Sequence, residues 1–144
     1  MRNIFTAFMV VAAAVATSVV AQADDAPWAV NLGLWSKHWN LDADNETHNL
    51  IAGEYKGWTM GYMRNSEDED SVLAGYHFHW PVTDWFTPGI LIGAASGYDD
   101  GLGKAGVVPA GMLTGFFHVD GVGIQVNLLP WTSGVVAAGF RFEF

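Results

Sequence analysis

Cysteine is absent from the 144 residues, which excludes a disulfide framework. Basic residues are scarce: 6 Lys and Arg stand against 15 Asp and Glu, for a formal net charge of −9. That acidity excludes an ordinary nucleic-acid partner, because phosphate binding needs Lys and Arg. Beyond the N-terminal segment, no stretch reaches the ~20 consecutive apolar residues of a transmembrane helix. What is present is apolar and small. Hydrophobic residues make up 51% and aromatics 14%, with 17 Gly.

The N-terminus carries Arg2, an apolar run over residues 4–20, and then Ala21-Gln22-Ala23, a small-x-small cleavage pattern. This predicts a secretory signal peptide over residues 1–23 and a mature chain, residues 24–144, of one domain. An uncleaved inner-membrane anchor is the alternative. An exported, apolar chain without a spanning helix points to the outer membrane, where a closed barrel satisfies every backbone group.

Alternation supports that class. Over residues 27–38 the even positions are Trp28, Val30, Leu32, Leu34, Ser36 and His38, set against Ala29, Asn31, Gly33, Trp35 and Lys37. A polar loop follows over residues 40–47, then strands over 49–55 and 58–65 joined at Lys56-Gly57. The acidic run Glu67-Asp68-Glu69-Asp70 precedes a fourth strand with Val72, Ala74, Tyr76, Phe78 and Trp80 on one face. Leu73, His77 and His79 lie on the other. Further strands are expected over 85–98, 105–117 and 122–128, and from 135 to the end. Turns are expected at 81–84 and 118–121, and loops at 99–104 and 130–134. The prediction is an all-β, eight-stranded antiparallel transmembrane β-barrel. A soluble lipocalin-like barrel is the alternative. The uncharged outer faces of the fourth, seventh and eighth strands and the aromatic ending Phe142-Glu143-Phe144 favour the membrane barrel.

With both termini on the periplasmic side, odd-numbered strands end at the outer rim. His38, Asn65 and Ser66 are placed there, along with Asp42, Asp44, Asp99 and Asp100. A hydroxyl and an imidazole at one rim are the minimum for activated-hydroxyl chemistry, in which a base takes the proton as oxygen attacks a carbonyl. A turn-forming Asn-Ser beside a solvated His has the same spacing.

These residues also carry a family resemblance. Ser66 stands eight residues before Ala74-Gly75-Tyr76, the chain ends Arg141-Phe142-Glu143-Phe144, and Pro109 and Pro130 flank the sixth and seventh strands. In these features the chain resembles the lipid A palmitoyltransferase (PagP) family. The resemblance implies transfer of a fatty acyl chain, typically palmitoyl, from a glycerophospholipid donor to lipid A. His38, Asn65 and Ser66 would form the catalytic set, and the acyl chain would lie in an apolar bore. It implies no cofactor and no metal, a monomer, and assembly into the outer membrane through the C-terminal Phe144. The sequence departs from the family at Asn65, where the family has Asp, and at His77, where the family has a small residue that sets acyl length. Only residues 24–26 are left for the amphipathic helix that precedes the family's barrel. With an amide in place of the carboxylate, Asn65 would donate to an oxyanion, and Asp42, Asp44 or Asp68 would supply charge.

Other residues have plainer readings. The acidic run over residues 67–70 is a solvated loop or a Ca²⁺ or Mg²⁺ bridge to lipopolysaccharide phosphates. His77 and His79 join Arg141 and Glu143 in a polar plug, or grip a metal. Trp28, Trp80, Trp85 and Trp131 are expected as interfacial girdle residues. Two other functions fit the same barrel: a non-catalytic structural or adhesive protein, and a binder of a hydrophobic ligand.

Overall fold

The computed structural model describes residues 28–39, 43–99, 101–130 and 134–144. The expected signal peptide and the rim or girdle positions Asp42, Asp100 and Trp131 lie outside the described residues. Eight strands close in sequence order into one antiparallel barrel. They are β1 Trp28–His38, β2 Ile51–Tyr55, β3 Trp58–Arg64, β4 Asp70–His79, β5 Phe86–Ala95, β6 Val108–Val119, β7 Val122–Leu129 and β8 Val135–Glu143. Closure comes from β1 pairing with β8, so no strand edge is left open between them.

Two tight turns lie at one end of the barrel, and the two longest connections, after β1 and β5, lie at the other. At the end that holds Trp28 and Phe144, β2–β3 and β6–β7 are joined by the two-residue turns Lys56-Gly57 and Asp120-Gly121. Positive φ at both positions of each turn (48° and 83°, 50° and 77°) gives them the twist that adjoining strands need. The second turn is tighter than the expected 118–121. His118 and Val119 stay in β6, with the His118 amide donating to the Trp85 carbonyl at 2.9 Å. The third connection at this end, between β4 and β5, spans residues 80–85, and the connections after β1, β3, β5 and β7 lie at the opposite, loop end.

Polarity is inverted relative to a soluble protein. Trp58, Met60, Ile51 and Phe140 point outward, with exposures of 69%, 66%, 64% and 48%, while Asn31, Glu54, Thr59, His77, Gln125, Asn127 and Arg141 are buried inside. The face assignments made from alternation hold for β4, β7 and β8: Ser71, Leu73 and His77 point in, as do Gln125, Asn127, Val135, Ala137 and Arg141. Small inward residues let neighbouring strands approach. A Cβ on Gly93 would fall 2.6 Å from the Gly75 Cα on the neighbouring strand and closer still to the Ala74 carbonyl oxygen.

The lumen has two halves. At the terminus end a polar network fills it, centred on Glu54. Near the loop end, on the β4–β5–β6 side, Leu73, Leu91 and Ala95 form an apolar cluster against Tyr98, Val108, Ala110 and Met112. Among the described residues this cluster is the apolar lining of the lumen, and its side chains pack against one another.

One strand departs from the alternation read in the sequence. In β1, Leu32 pairs with Phe140 and the next partners are Trp35 and Ala138, so Gly33 and Leu34 together face Gly139. This is a β-bulge that starts with a left-handed glycine, Gly33 at φ 74°. The extra residue reverses the facing of everything beyond it. Trp35 packs outside, edge-on to Phe140 at 5.9 Å, and Ser36 and His38 turn inward. Continuous alternation would have put both on the same face as Trp28 and Leu32.

Candidate functional site

Asn65 follows β3 directly and is fully buried. Its Oδ1 accepts from the backbone N–H groups of Glu67 and Glu69, both at 2.9 Å, and its Nδ2 donates to the Gly97 carbonyl. One side chain thus holds its own turn and ties it to the β5–β6 loop. The neighbouring Ser66 carbonyl accepts from the Asp44 and Asn45 amides at 3.0 and 3.2 Å, drawing in the β1–β2 loop. Burial pushes the Tyr98 phenol up, and the nearby Ser66 side chain partly offsets it.

The acidic run is largely engaged within the protein. Arg64 reaches Asp68 at 3.2 Å and Asp70 at 3.1 Å, Tyr62 donates to Asp70 at 2.6 Å, and Glu67 accepts from the Asp99 amide at 2.9 Å. These partners favour the plain loop reading.

His38 stands inward at the end of β1, with its Nδ1 buried and without a hydrogen-bond partner. The nearest carboxylate, Glu46, is 4.0 Å away and is already held by Lys37 at 2.9 Å. The Lys37 ammonium keeps the Glu46 carboxyl below its ordinary range.

The serine–histidine contact at this end involves two other residues. Ser36 Oγ lies 2.7 Å from His48 Nε2, and His48 Nδ1 lies 2.8 Å from the Arg64 carbonyl oxygen. A carbonyl oxygen only accepts, so Nδ1 carries the proton and Nε2 accepts from the Ser36 hydroxyl. His48 is buried at 5% exposure and Ser36 is half-buried. The loop end thus gathers Ser36, His38, His48, Asn65 and Ser66, of which the sequence reading singled out only the second, fourth and fifth. Gly33 inside a strand pattern was the one available signal for Ser36, since such glycines mark bulges. Nothing in the sequence marked His48.

The polar plug contains a second hydroxyl–imidazole pair. Thr114 lies 2.8 Å from His77 Nε2, and His77 Nδ1 lies 3.0 Å from Glu54 Oε2. The order imitates a hydrolase triad. All three residues are buried, however, at 7%, 4% and 4% exposure. Arg141 clamps both Glu54 oxygens at 2.9 Å, reaches Glu143 at 2.9 Å, and lies over Phe116. His79 approaches Glu54 at 3.7 Å. The expected plug of His77, His79, Arg141 and Glu143 is present, with Glu54 at its centre. Among the described residues, Glu54, His77 and His79 are the group whose ligand atoms come within 4.8 Å of one another. A guanidinium on both carboxylate oxygens opposes a cation there.

Beside the bulge, a crevice of about 20 Å³ is lined by Asn31, Leu34, Leu50 and Phe140 among others. It has room for a single water and none for an acyl chain. No protein-family model matches the chain, and no curated protein matches it.

The role of Asn65 yields a prediction. Asn65→Asp keeps the acceptor but removes the donor, setting a carboxylate oxygen against the Gly97 carbonyl in a buried position. Stability is expected to fall by about 1–3 kcal/mol, read as a lower urea midpoint in phospholipid vesicles. An unchanged midpoint would show that the amide donor is dispensable.

Proposed function

We propose that the chain is an outer-membrane enzyme that moves a fatty acyl chain from a glycerophospholipid to lipid A, as the resemblance to the PagP family implies. The supporting observation is the β1 bulge. It turns Ser36 and His38 inward at the end that also holds His48 and Ser66, on a barrel whose outer face is apolar. A barrel of this polarity sits in a bilayer with its aromatic residues toward the two interfaces and its strands crossing at a tilt. Export through the N-terminal segment and assembly through Phe144 belong to the same reading. The apolar cluster around Leu73 and Leu91, on the β4–β5–β6 side of the lumen, is the lining that suits an acyl chain.

A second reading is a non-catalytic barrel in which Asn65-Ser66 is a loop clasp. The engagement of the Asn65 side chain with three backbone groups favours it. Mass spectrometry of lipid A separates the two. Cells expressing the folded protein are expected to show a palmitate-sized mass increase after the outer membrane is perturbed. Unchanged lipid A under those conditions would sink the acyltransferase and leave the non-catalytic barrel.

A further inference from the structure

The geometry points to Ser36 and His48 as a nucleophile–base pair that acts on lipid acyl esters, an inference that rests on the proposed acyl-transfer reading. Three features converge on the pair. The bulge in β1 serves to aim residues, since one extra residue at Gly33-Leu34 turns Ser36 from the outer face to the lumen. The Arg64 carbonyl fixes the His48 tautomer, leaving the Nε2 lone pair directed at the Ser36 hydroxyl at 2.7 Å. The partner that fixes it is well anchored, because the Arg64 amide donates back to the His48 carbonyl at 2.8 Å. A base oriented by a third group and bonded to a hydroxyl is the arrangement that activates a serine.

The step balances without a cofactor. His48 Nε2 takes the Ser36 proton as Oγ bonds to the ester carbonyl carbon. The bond from that carbon to the glycerol oxygen then breaks, and the His48 proton passes to the leaving oxygen. This gives acyl-Ser36 and a lysophospholipid. An acceptor alcohol next gives its proton to His48, attacks the acyl carbon, and leaves with the acyl chain as Ser36 Oγ recovers the proton.

A long-chain alkyl fluorophosphonate, which phosphonylates activated serines with loss of fluoride, tests the pair in the folded full chain. Peptide mapping is expected to find the adduct on Ser36. In His48→Asn, where the amide nitrogen can still donate to the Arg64 carbonyl, the labelling rate is expected to fall roughly 100-fold or more. An adduct on Ser66 instead, no adduct on any serine, or full-rate labelling of His48→Asn would each overturn the assignment. Should His48→Asn fail to fold, mapping of the wild-type adduct against Ser36→Ala decides alone. Lipid A masses keep the two proposals apart. Label on Ser36 with unmodified lipid A retains the pair and rejects the acceptor, whereas palmitoylation that persists in folded Ser36→Ala retains the acyltransferase and rejects the pair.

Discussion

Arg141→Ala is expected to lower the unfolding free energy by about 3–5 kcal/mol, the cost of leaving a buried charge without its partner. The guanidinium makes two parallel bonds to Glu54, each 2.9 Å, and a third to Glu143. Bidentate, charge-assisted pairs of this kind are the strong ones. Without it the Glu54 carboxylate keeps, among the described residues, Thr59 at 3.2 Å, His77 at 3.0 Å and His79 at 3.7 Å, in a lumen where its exposure is 4%. The same reasoning predicts a rescue. Arg141→Met combined with Glu54→Leu removes both charges at similar volume and is expected to recover most of the loss, because an ion pair brought out of water contributes little net stability. Urea unfolding in vesicles, followed by tryptophan fluorescence, measures both variants. A loss under about 1 kcal/mol for Arg141→Ala would mean that Glu54 reaches water. A double variant weaker than Arg141→Ala would mean that the pair is net stabilising.

The contrast between the plug and the rim shows what alternation can and cannot reveal. The inward faces of β4 and β8 were legible because each holds strict period two, so His77, His79, Arg141 and Glu143 fell on one side at once. Glu54 was not recognised as their centre. It sits on β2, and only closure of the barrel through β1 brings that strand near β8. Asn65-Ser66 was legible as a seam between two strands. The atom that accounts for the amide, the Gly97 carbonyl, lies 32 residues further on and belongs to a loop whose path follows no pattern. In β1 the pattern itself misled. Leu34 is as apolar as Leu32, so the alternation reads as unbroken through a point where the backbone inserts an extra residue. The facing of the rim side chains depends on that local backbone irregularity, whereas the fold depends on the average pattern, and the fold was accordingly the easier of the two to read.

The bulge also gives the sharpest test of how the rim is built. Gly33 holds φ 74°, where any Cβ costs about 1–2 kcal/mol and a β-branched one more. Gly33→Val is therefore expected to press β1 toward unbroken alternation, because valine prefers an extended backbone. In that register every residue past Leu32 changes face. Trp35 and Lys37 would turn into the lumen, and Ser36 and His38 would turn out. The expected result is loss of fluorophosphonate labelling at Ser36, together with a fall in stability of at least about 1–2 kcal/mol. Deleting Leu34 in the same chain should reverse the facing defect. With Leu34 gone, position 33 alone opposes Gly139, the strand alternates without a bulge, and Trp35 again points out while Ser36 and His38 point in. The double variant, Gly33→Val with Leu34 deleted, is thus expected to regain stability and Ser36 labelling relative to Gly33→Val. If it regains stability without labelling, the bulge aims Ser36 at His48 in a way that facing alone does not reproduce. If Gly33→Val retains full labelling, the left-handed glycine is not what turns Ser36 inward.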